Sequence, residues 1–263
     1  MSHLSSEVFK EAKAHAIQAY PEEACGLVVD GQYMRSYNYA LPSEQHTGYP
    51  NCECRKCSFS IAPEEIVKAG NRLDAILHSH PDGPFYPSQS DMEGQLHTNV
   101  PWGIIATDGE RASDPVMWGD TLEIAPLVGR EFMHGVHDCY SLIRDTFRLG
   151  KDELARLDIT SEWPFDPIIL NECPRNESWW ETQDDLYQDM FEKEGFRVIQ
   201  KSEVRPGDCF MTNIRSKKIN HAGIYIGNNL LLHHLPSRPS RREPAGIWAR
   251  HAAMWVRHEA ADA

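Results

Sequence analysis

Two histidines flank one serine at His78-Ser79-His80, directly after the apolar run Ala75-Ile76-Leu77 and directly before Pro81. Alternate side chains of an extended strand share a face, so both imidazoles point the same way. Asp91 follows one loop later, at the start of a stretch that reads as a short helix. From there its carboxylate can swing back to the pair. Two imidazoles and a carboxylate suit zinc and leave a fourth position for water. Water so held becomes a usable nucleophile near neutral pH. This chemistry also wants a carboxylate base that is not a ligand. Glu22 and Glu23, just before the first apolar strand, offer one. Ser88 stands three residues before Asp91, a spacing that also makes a helix capping box with no metal involved.

A second reactive stretch begins at Cys139, behind Asp138, in the first turn of a helix predicted over residues 138–149. Helix N-terminal amides and the helix dipole favour a thiolate there. A histidine in reach completes such a pair by taking the proton. His221 opens the strand "HAGIYIG", and His233 and His234 lie on the next one. A three-residue loop, Gly227-Asn228-Asn229, pairs Ile226 with Leu230 and puts His221 and His233 on one face. A two-residue loop puts His234 there instead. Asn229 tolerates the left-handed backbone that the longer loop needs, which favours His233. A third cluster, Cys52, Cys54 and Cys57, fits a structural zinc with His46 or another residue as fourth ligand, or else a loop of reduced thiols.

The elements that must hold these groups can be read from periodicity. Residues 5–19 form an amphipathic helix with Val8, Ala12 and Ala16 on one face. Strands are expected over residues 24–31, 74–80 and 102–108, and helices over 62–73 and 90–98. This alternation indicates an α/β domain. Residues 121–132, with Pro126 and Gly129, hold the domain boundary, giving domains 1–125 and 126–263. The second half runs helix first, then an irregular stretch over 150–180, a helix over 183–194, and strands over 205–213 and 221–235. That is an α+β order.

Bulk properties narrow the function classes. The chain has 263 residues, enough for two cores, and a net charge of −13. An acidic balance gives no basic face for nucleic acid, and "SRPSRRE" at residues 237–243 is too short to make one. No run of about 18 apolar residues exists, so no membrane insertion is expected. The charged N-terminus lacks the apolar core of a secretion signal, which points to synthesis in the cytoplasm without Sec-type export. Seven cysteines, an odd number, argue against a disulfide framework.

Glu-Ala-Cys-Gly at residues 23–26, His-Ser-His-Pro at 78–81 and Ser-x-x-Asp at 88–91 together resemble the JAMM (MPN-type) metalloproteases, over about residues 5–120. The resemblance implies zinc on His78, His80 and Asp91, Glu23 as general acid/base, and Ser88 as the group that holds the attacked carbonyl's developing charge. "DCYSLIRD", "PGD" and "HAGIYIG" resemble the NlpC-type cysteine peptidases, papain-like enzymes that cut cell-wall peptides, over about residues 127–263. That resemblance implies Cys139 as nucleophile, His221 as base and His233 as the residue that orients it. Phe132 departs from it, standing where many members carry a tyrosine whose hydroxyl helps bind the oxyanion.

The pairing of these domains resembles the tail tip assembly proteins of lambda-like phages. It implies a tail tip location, other tail tip proteins as partners, and cleavage of peptidoglycan stem peptides between D-glutamate and diaminopimelate as the phage enters its host. The alternatives are a structural assembly protein with relic sites, or a JAMM domain that trims a tail protein or a ubiquitin-like tag.

Overall fold

Ser5 caps the first helix, α1 (Ser6–Ala19), by accepting a hydrogen bond from the amide of Val8 at 3.3 Å. Its buried stripe is Val8, Ala12 and Ala16, small enough to sit close against a sheet. Strands β1 (Cys25–Val29) and β2 (Gln32–Ser36) follow, then α2 (Pro63–Ala69), β3 (Leu73–Pro81), α3 (Gln89–Thr98), β4 (Trp102–Thr107) and β5 (Val116–Trp118). The sheet order is β2-β1-β3-β4-β5. The central strands β1, β3 and β4 are largely buried, as strands covered on both faces must be; β1 and β4 are almost wholly apolar, whereas β3 carries His78, Ser79 and His80 at its buried end. The α1 stripe packs on Val28, Ala75, Leu77 and Ile105 of those strands.

This computed structural model describes residues 4–47, 52–182 and 185–262. The chain divides into two units, Met1–Glu123 and Ile124–Ala263.

In the second unit, α4 (Cys139–Arg156) is capped by Asp138 and interrupted at Gly150, whose φ of 70° is outside the helical range. The helix expected over residues 138–149 therefore ends where glycine permits the break, and a further helical stretch runs to Arg156. Then come α5 (Leu186–Met190), β6 (Phe196–Ile199), β7 (Cys209–Thr212), β8 (His221–Gly227), β9 (Leu230–His233), β10 (Arg241–Pro244), α6 (Gly246–His251) and β11 (Met254–His258). The helix expected over 183–194 begins outside the described residues, and its described part is only the five-residue α5. The sheet is antiparallel, in the order β10-β9-β8-β7-β11-β6. Leu142, Ile143 and Phe147 of α4 pack into its core with Ala222, Ile224 and Val256.

The β8–β9 turn differs from expectation in an instructive way. Gly227 pairs with Leu230, so the loop has two residues, Asn228 and Asn229, both at positive φ (50° and 60°). A bulge between Tyr225 and Gly227 then shifts the ladder by one residue, so Gly223 pairs with His233. Turn and bulge together give the register that a plain three-residue loop would give.

Candidate active sites

Strand β3 is the axis of the first site. His78 lies opposite Cys25 of β1 and Ile104 of β4, so the strand is held along both edges. The Nε2 atoms of His78 and His80 are 3.1 Å apart. They lie 3.3 Å from Asp91 Oδ1 and 3.4 Å from Asp91 Oδ2, respectively. All three side chains are buried. His80 Nδ1 donates to the Pro84 carbonyl at 2.9 Å, which leaves the Nε2 lone pair free for a ligand. Phe59 stacks on the His78 ring at 4.5 Å and fixes its plane. Tetrahedral zinc with N and O ligands needs donors about 3.3 Å apart. The donor set and its spacing fit zinc.

Asp91 serves two structural ends at once. As the third residue of α3 it accepts the Ser88 amide at 2.8 Å, while its own amide donates to Ser88 Oγ at 3.2 Å. The same carboxylate meets both imidazoles. The capping box and the metal-ligand geometry are therefore one arrangement.

Glu23 is buried, 6% exposed, and shares a cavity of about 620 Å³ with His80, Ser88 and Asp91. Its amide donates to the Arg55 carbonyl at 2.6 Å, and its carbonyl accepts from Asn38 Nδ2 at 3.1 Å. Ser79 ties the next residue in place, since Ala24 N donates to Ser79 Oγ at 2.8 Å and Ser79 N to the Ala24 carbonyl at 2.9 Å. The serine between the two histidines thus locks the strand of the acid to the strand of the imidazoles. Burial pushes the Glu23 carboxyl up to about 8; His80 opposes this, and Asp91 and Cys52 add to it. Glu22 instead accepts a hydrogen bond from Ser43.

The second site forms where the start of α4 meets the start of β8. Cys139 and His221 line one cavity of about 320 Å³, with Phe132 and Tyr187. His221 Nε2 is 3.0 Å from His233 Nδ1, and His233 Nε2 is 3.2 Å from Glu243 Oε2. Trp248 Nε1 donates to the same Glu243 oxygen at 2.8 Å. A carboxylate only accepts, so His233 Nε2 carries the proton and His233 Nδ1 accepts from His221 Nε2–H. The lone pair of neutral His221 is then on Nδ1. Gly223 makes room for this relay, because a Cβ there would lie 2.6 Å from the His233 Cβ. His234 packs edge-on against Phe132 instead, with ring centroids 5.2 Å apart.

Two findings here depart from expectation. The Cys139 sulfur lies 3.1 Å from the Tyr187 hydroxyl, and its hydrogen bond is to that group rather than to His221. The thiol is also raised, not lowered, in this state. Burial pushes it up and the Asp138 carboxylate adds to this, while Tyr187, the Ala222 amide and Arg175 act the other way. Helix amides alone do not outweigh desolvation and an adjacent carboxylate. Asp138 is itself buried against Arg175, whose Nη2 and Nε lie 2.5 Å and 3.2 Å from Oδ2. The aspartate of "PGD", Asp208, is likewise paired with a guanidinium, Arg257, through two bonds of 2.8 Å.

The first unit matches the family of prokaryotic homologs of the JAB domain over residues 5–118, and the second matches the NlpC/P60 family over residues 128–257. Across both, the chain is 30% identical to the tail tip assembly protein K of Escherichia phage N15, over 94% of this chain and 92% of that protein. The chain belongs to the tail tip assembly protein K family. The K protein of Escherichia phage lambda is also 30% identical, over 76% of this chain and 90% of its own length. A shorter relative is the probable TtuB-protein conjugate cleaving protease of Thermus thermophilus, 30% identical over 40% of this chain and 70% of that protein.

Within this K-family chain, sequence reasoning missed Ser79, Asn38, Tyr187, Arg175 and Glu243. Glu243 gave no local signal: it lies in the charged run Arg241-Arg242-Glu243, which becomes the edge strand β10 beside β9. Tyr187 had none, because 48 residues separate it from Cys139. Among the described residues, no helix is long and apolar enough to cross a membrane.

Proposed function

We propose that this chain acts in phage tail tip assembly and carries two peptide-hydrolysing sites, a zinc-dependent JAMM-type site and an NlpC-type Cys-His-His site. The observation that carries this reading is that each unit gathers a full set of reactive side chains around its own cavity.

In the first unit, His78, His80 and Asp91 hold the zinc, which supplies Lewis acidity when bound. Glu23 takes the proton of the attacking water and passes it to the leaving amine, a transfer suited to a carboxyl raised toward neutrality. Ser88 turns its hydroxyl from Asp91 to the developing oxyanion.

In the second unit, His221 takes the Cys139 proton as the sulfur attacks the carbonyl carbon. His233 holds the base in its acting tautomer, and Glu243 offsets the positive charge as His221 becomes protonated. The proton then goes to the leaving amine, and water releases the acyl group by the reverse exchange. Tyr187 takes the place left by Phe132 as the hydroxyl at the nucleophile.

The substrate of the cysteine site is the peptidoglycan stem peptide, cut between D-glutamate and diaminopimelate as the tail tip meets the cell wall. A second reading applies to the first unit alone. The name of its Thermus relative favours cleavage of a protein conjugate there, and the tail tip proteins of the same phage are the other candidate substrate. Incubating the protein with intact peptidoglycan and, separately, with purified tail tip proteins, then reading products by mass spectrometry, tests both. Muropeptides lost in Cys139→Ser support the wall substrate, and their absence from the wild-type digest refutes it. A tail-protein fragment lost in Glu23→Gln supports the second reading.

A further inference from the structure

We propose that His46, Cys52, Cys54 and Cys57 bind a second, structural zinc ion, and that the knuckle so formed positions Glu23. The metal assignment stands alone. The effect on Glu23 rests on the reading of the first site given above.

Four donors from one short stretch converge. His46 Nδ1 lies 3.4 Å from Cys52 Sγ, 3.5 Å from Cys54 Sγ and 3.4 Å from Cys57 Sγ, and the Cys52 and Cys54 sulfurs are 3.3 Å apart. Hydrogen bonding does not account for this. One ring nitrogen offers a single proton or a single lone pair in the ring plane, and it cannot serve three thiols at once. Thiols are also weak donors and acceptors, so nothing in their own chemistry draws three of them around one imidazole edge. A central cation does. Tetrahedral zinc with three sulfurs at about 2.3 Å and one nitrogen near 2.0 Å brings its donors to about 3.5–3.8 Å from one another. The observed spacings are at or slightly inside that range. Three thiolates and an imidazole form a closed set, with no position left for water, as in structural rather than catalytic zinc sites.

The local backbone fits the same reading. Between His46 and α2 the described chain has no helix or strand. Cys57 N donates to the Cys54 carbonyl at 2.9 Å, closing a tight turn between the last two cysteines. Arg55 N donates to the Leu41 carbonyl at 2.9 Å, and Leu41 N to the Glu53 carbonyl at 3.2 Å, docking the turn on the preceding segment. Such a loop buries Cys52 and Cys54 with little apolar packing of its own, so a metal supplies the cross-link.

The link to Glu23 is direct. Arg55, inside the knuckle, presents the carbonyl that accepts the Glu23 amide at 2.6 Å. Ser58, one residue past the last cysteine, shares Asn38 with Glu23, since Asn38 Nδ2 donates to both carbonyls. Cys57 and His46 also line the cavity that holds Glu23 and His80. The knuckle is thus the wall against which the acid/base residue is set.

The test uses the full chain with His78→Ala and Asp91→Ala, which removes the first zinc site and leaves the knuckle. Metal analysis should find one zinc ion per chain. Cobalt exchanged into it should show intense near-ultraviolet sulfur-to-cobalt bands, which no His/Asp site gives. No zinc, no such bands and three freely titrating thiols in a chain that is folded by circular dichroism would overturn the assignment. So would a disulfide within the cluster under reducing purification. Should the double variant fail to fold, native wild type serves, with two zinc ions expected and cysteines 52, 54 and 57 protected from alkylation until a chelator is added. One zinc ion with those thiols unprotected would overturn the proposal. In otherwise wild-type protein, His46→Ala should lower zinc affinity of the knuckle at least roughly tenfold and reduce kcat of the first site, while His46→Cys restores both. Zinc loss with unchanged kcat would refute the link to Glu23 but keep the metal. A wild-type protein without peptidase activity would count against the proposed function and leave the zinc count to decide the knuckle.

Discussion

The Tyr187 hydroxyl stands 3.1 Å from the Cys139 sulfur, joining a residue of α5 to the first residue of α4. It is the one tyrosine hydroxyl bonded to that sulfur among the described residues, and it lies in the cavity where Phe132 offers only a ring. Tyr187→Phe should therefore lower kcat of the cysteine site by roughly ten- to a hundredfold, with little change in KM, since one lost donor in such a site costs that much or more. Phe132→Tyr should recover part of the loss. Steady-state cleavage of purified muropeptides checks this, and an unchanged kcat in Tyr187→Phe would remove that residue from the mechanism.

The raised Cys139 thiol sets the pH behaviour of alkylation. Burial and Asp138 keep it protonated at neutral pH, and His221 beside it is neutral. The rate of iodoacetamide reaction at Cys139 should keep climbing as pH rises above about 7. A plateau reached already in mild acid would show a resting thiolate–imidazolium pair instead. His221→Ala should slow turnover by roughly two to four orders of magnitude through loss of the base.

Glu23→Gln removes a proton carrier and keeps the shape. The amide should leave zinc content unchanged and lower first-site turnover by roughly two to four orders of magnitude. Near-wild-type turnover would pass the role to another group, and the position of Glu22 against Ser43 makes it a poor substitute.

Asp91 predicts a coupled loss. Asp91→Ala should abolish zinc at the first site and also destabilise the N-terminal unit by about 0.5–2 kcal/mol in metal-free protein, because the α3 cap goes with the ligand. His78→Ala/His80→Ala should abolish the same zinc without touching the cap. Metal analysis and chelator-treated thermal melts of the two variants, side by side, separate the effects.

His221 gives the second unit an acid limit. Burial lowers its pKa to about 3, with His233 and His234 adding to the effect, against 6.5 in a free imidazole. Between those values the unfolded chain binds more protons than the folded one, so stability rises with pH across the window. It is present above about 6.5 and lost progressively as pH falls toward 3. Calorimetry from about pH 8 down to pH 4 should show a falling second-unit Tm, with a shallower slope in His221→Gln. Equal slopes would mean other groups dominate the acid response.

What could be read in advance follows a physical line. His78 and His80 were legible because strand periodicity alone puts them on one face, and α1 because its small apolar residues repeat at helical spacing. A helix start and a strand start marked Cys139 and His221, and both line one cavity. Tyr187, Arg175 and Glu243 were not legible, since they reach the site through long-range packing that no local pattern encodes. β2 and β10 are polar, exposed edge strands lacking an apolar signature, and β5, β6 and β11, three to five residues each, are too short for a period to show. At Cys139 the helix dipole is a local feature that the sequence shows, whereas the desolvation that raises the thiol belongs to the assembled cavity.

The hairpin tip at Asn228-Asn229 acts as a ruler. Its two left-handed residues and the adjoining bulge set how far His233 sits from His221, and the identity of the loop side chains scarcely enters that distance. Substitution there is tolerated wherever positive φ is tolerated, by asparagine, aspartate or glycine. Insertion or deletion is not. Removing one residue would bring His234 onto the face that His221 shares and turn His233 away from Glu243, while every one of these residues stayed in the sequence. A chain shortened by one residue here would keep every side chain named above and still lose the His221–His233–Glu243 arrangement.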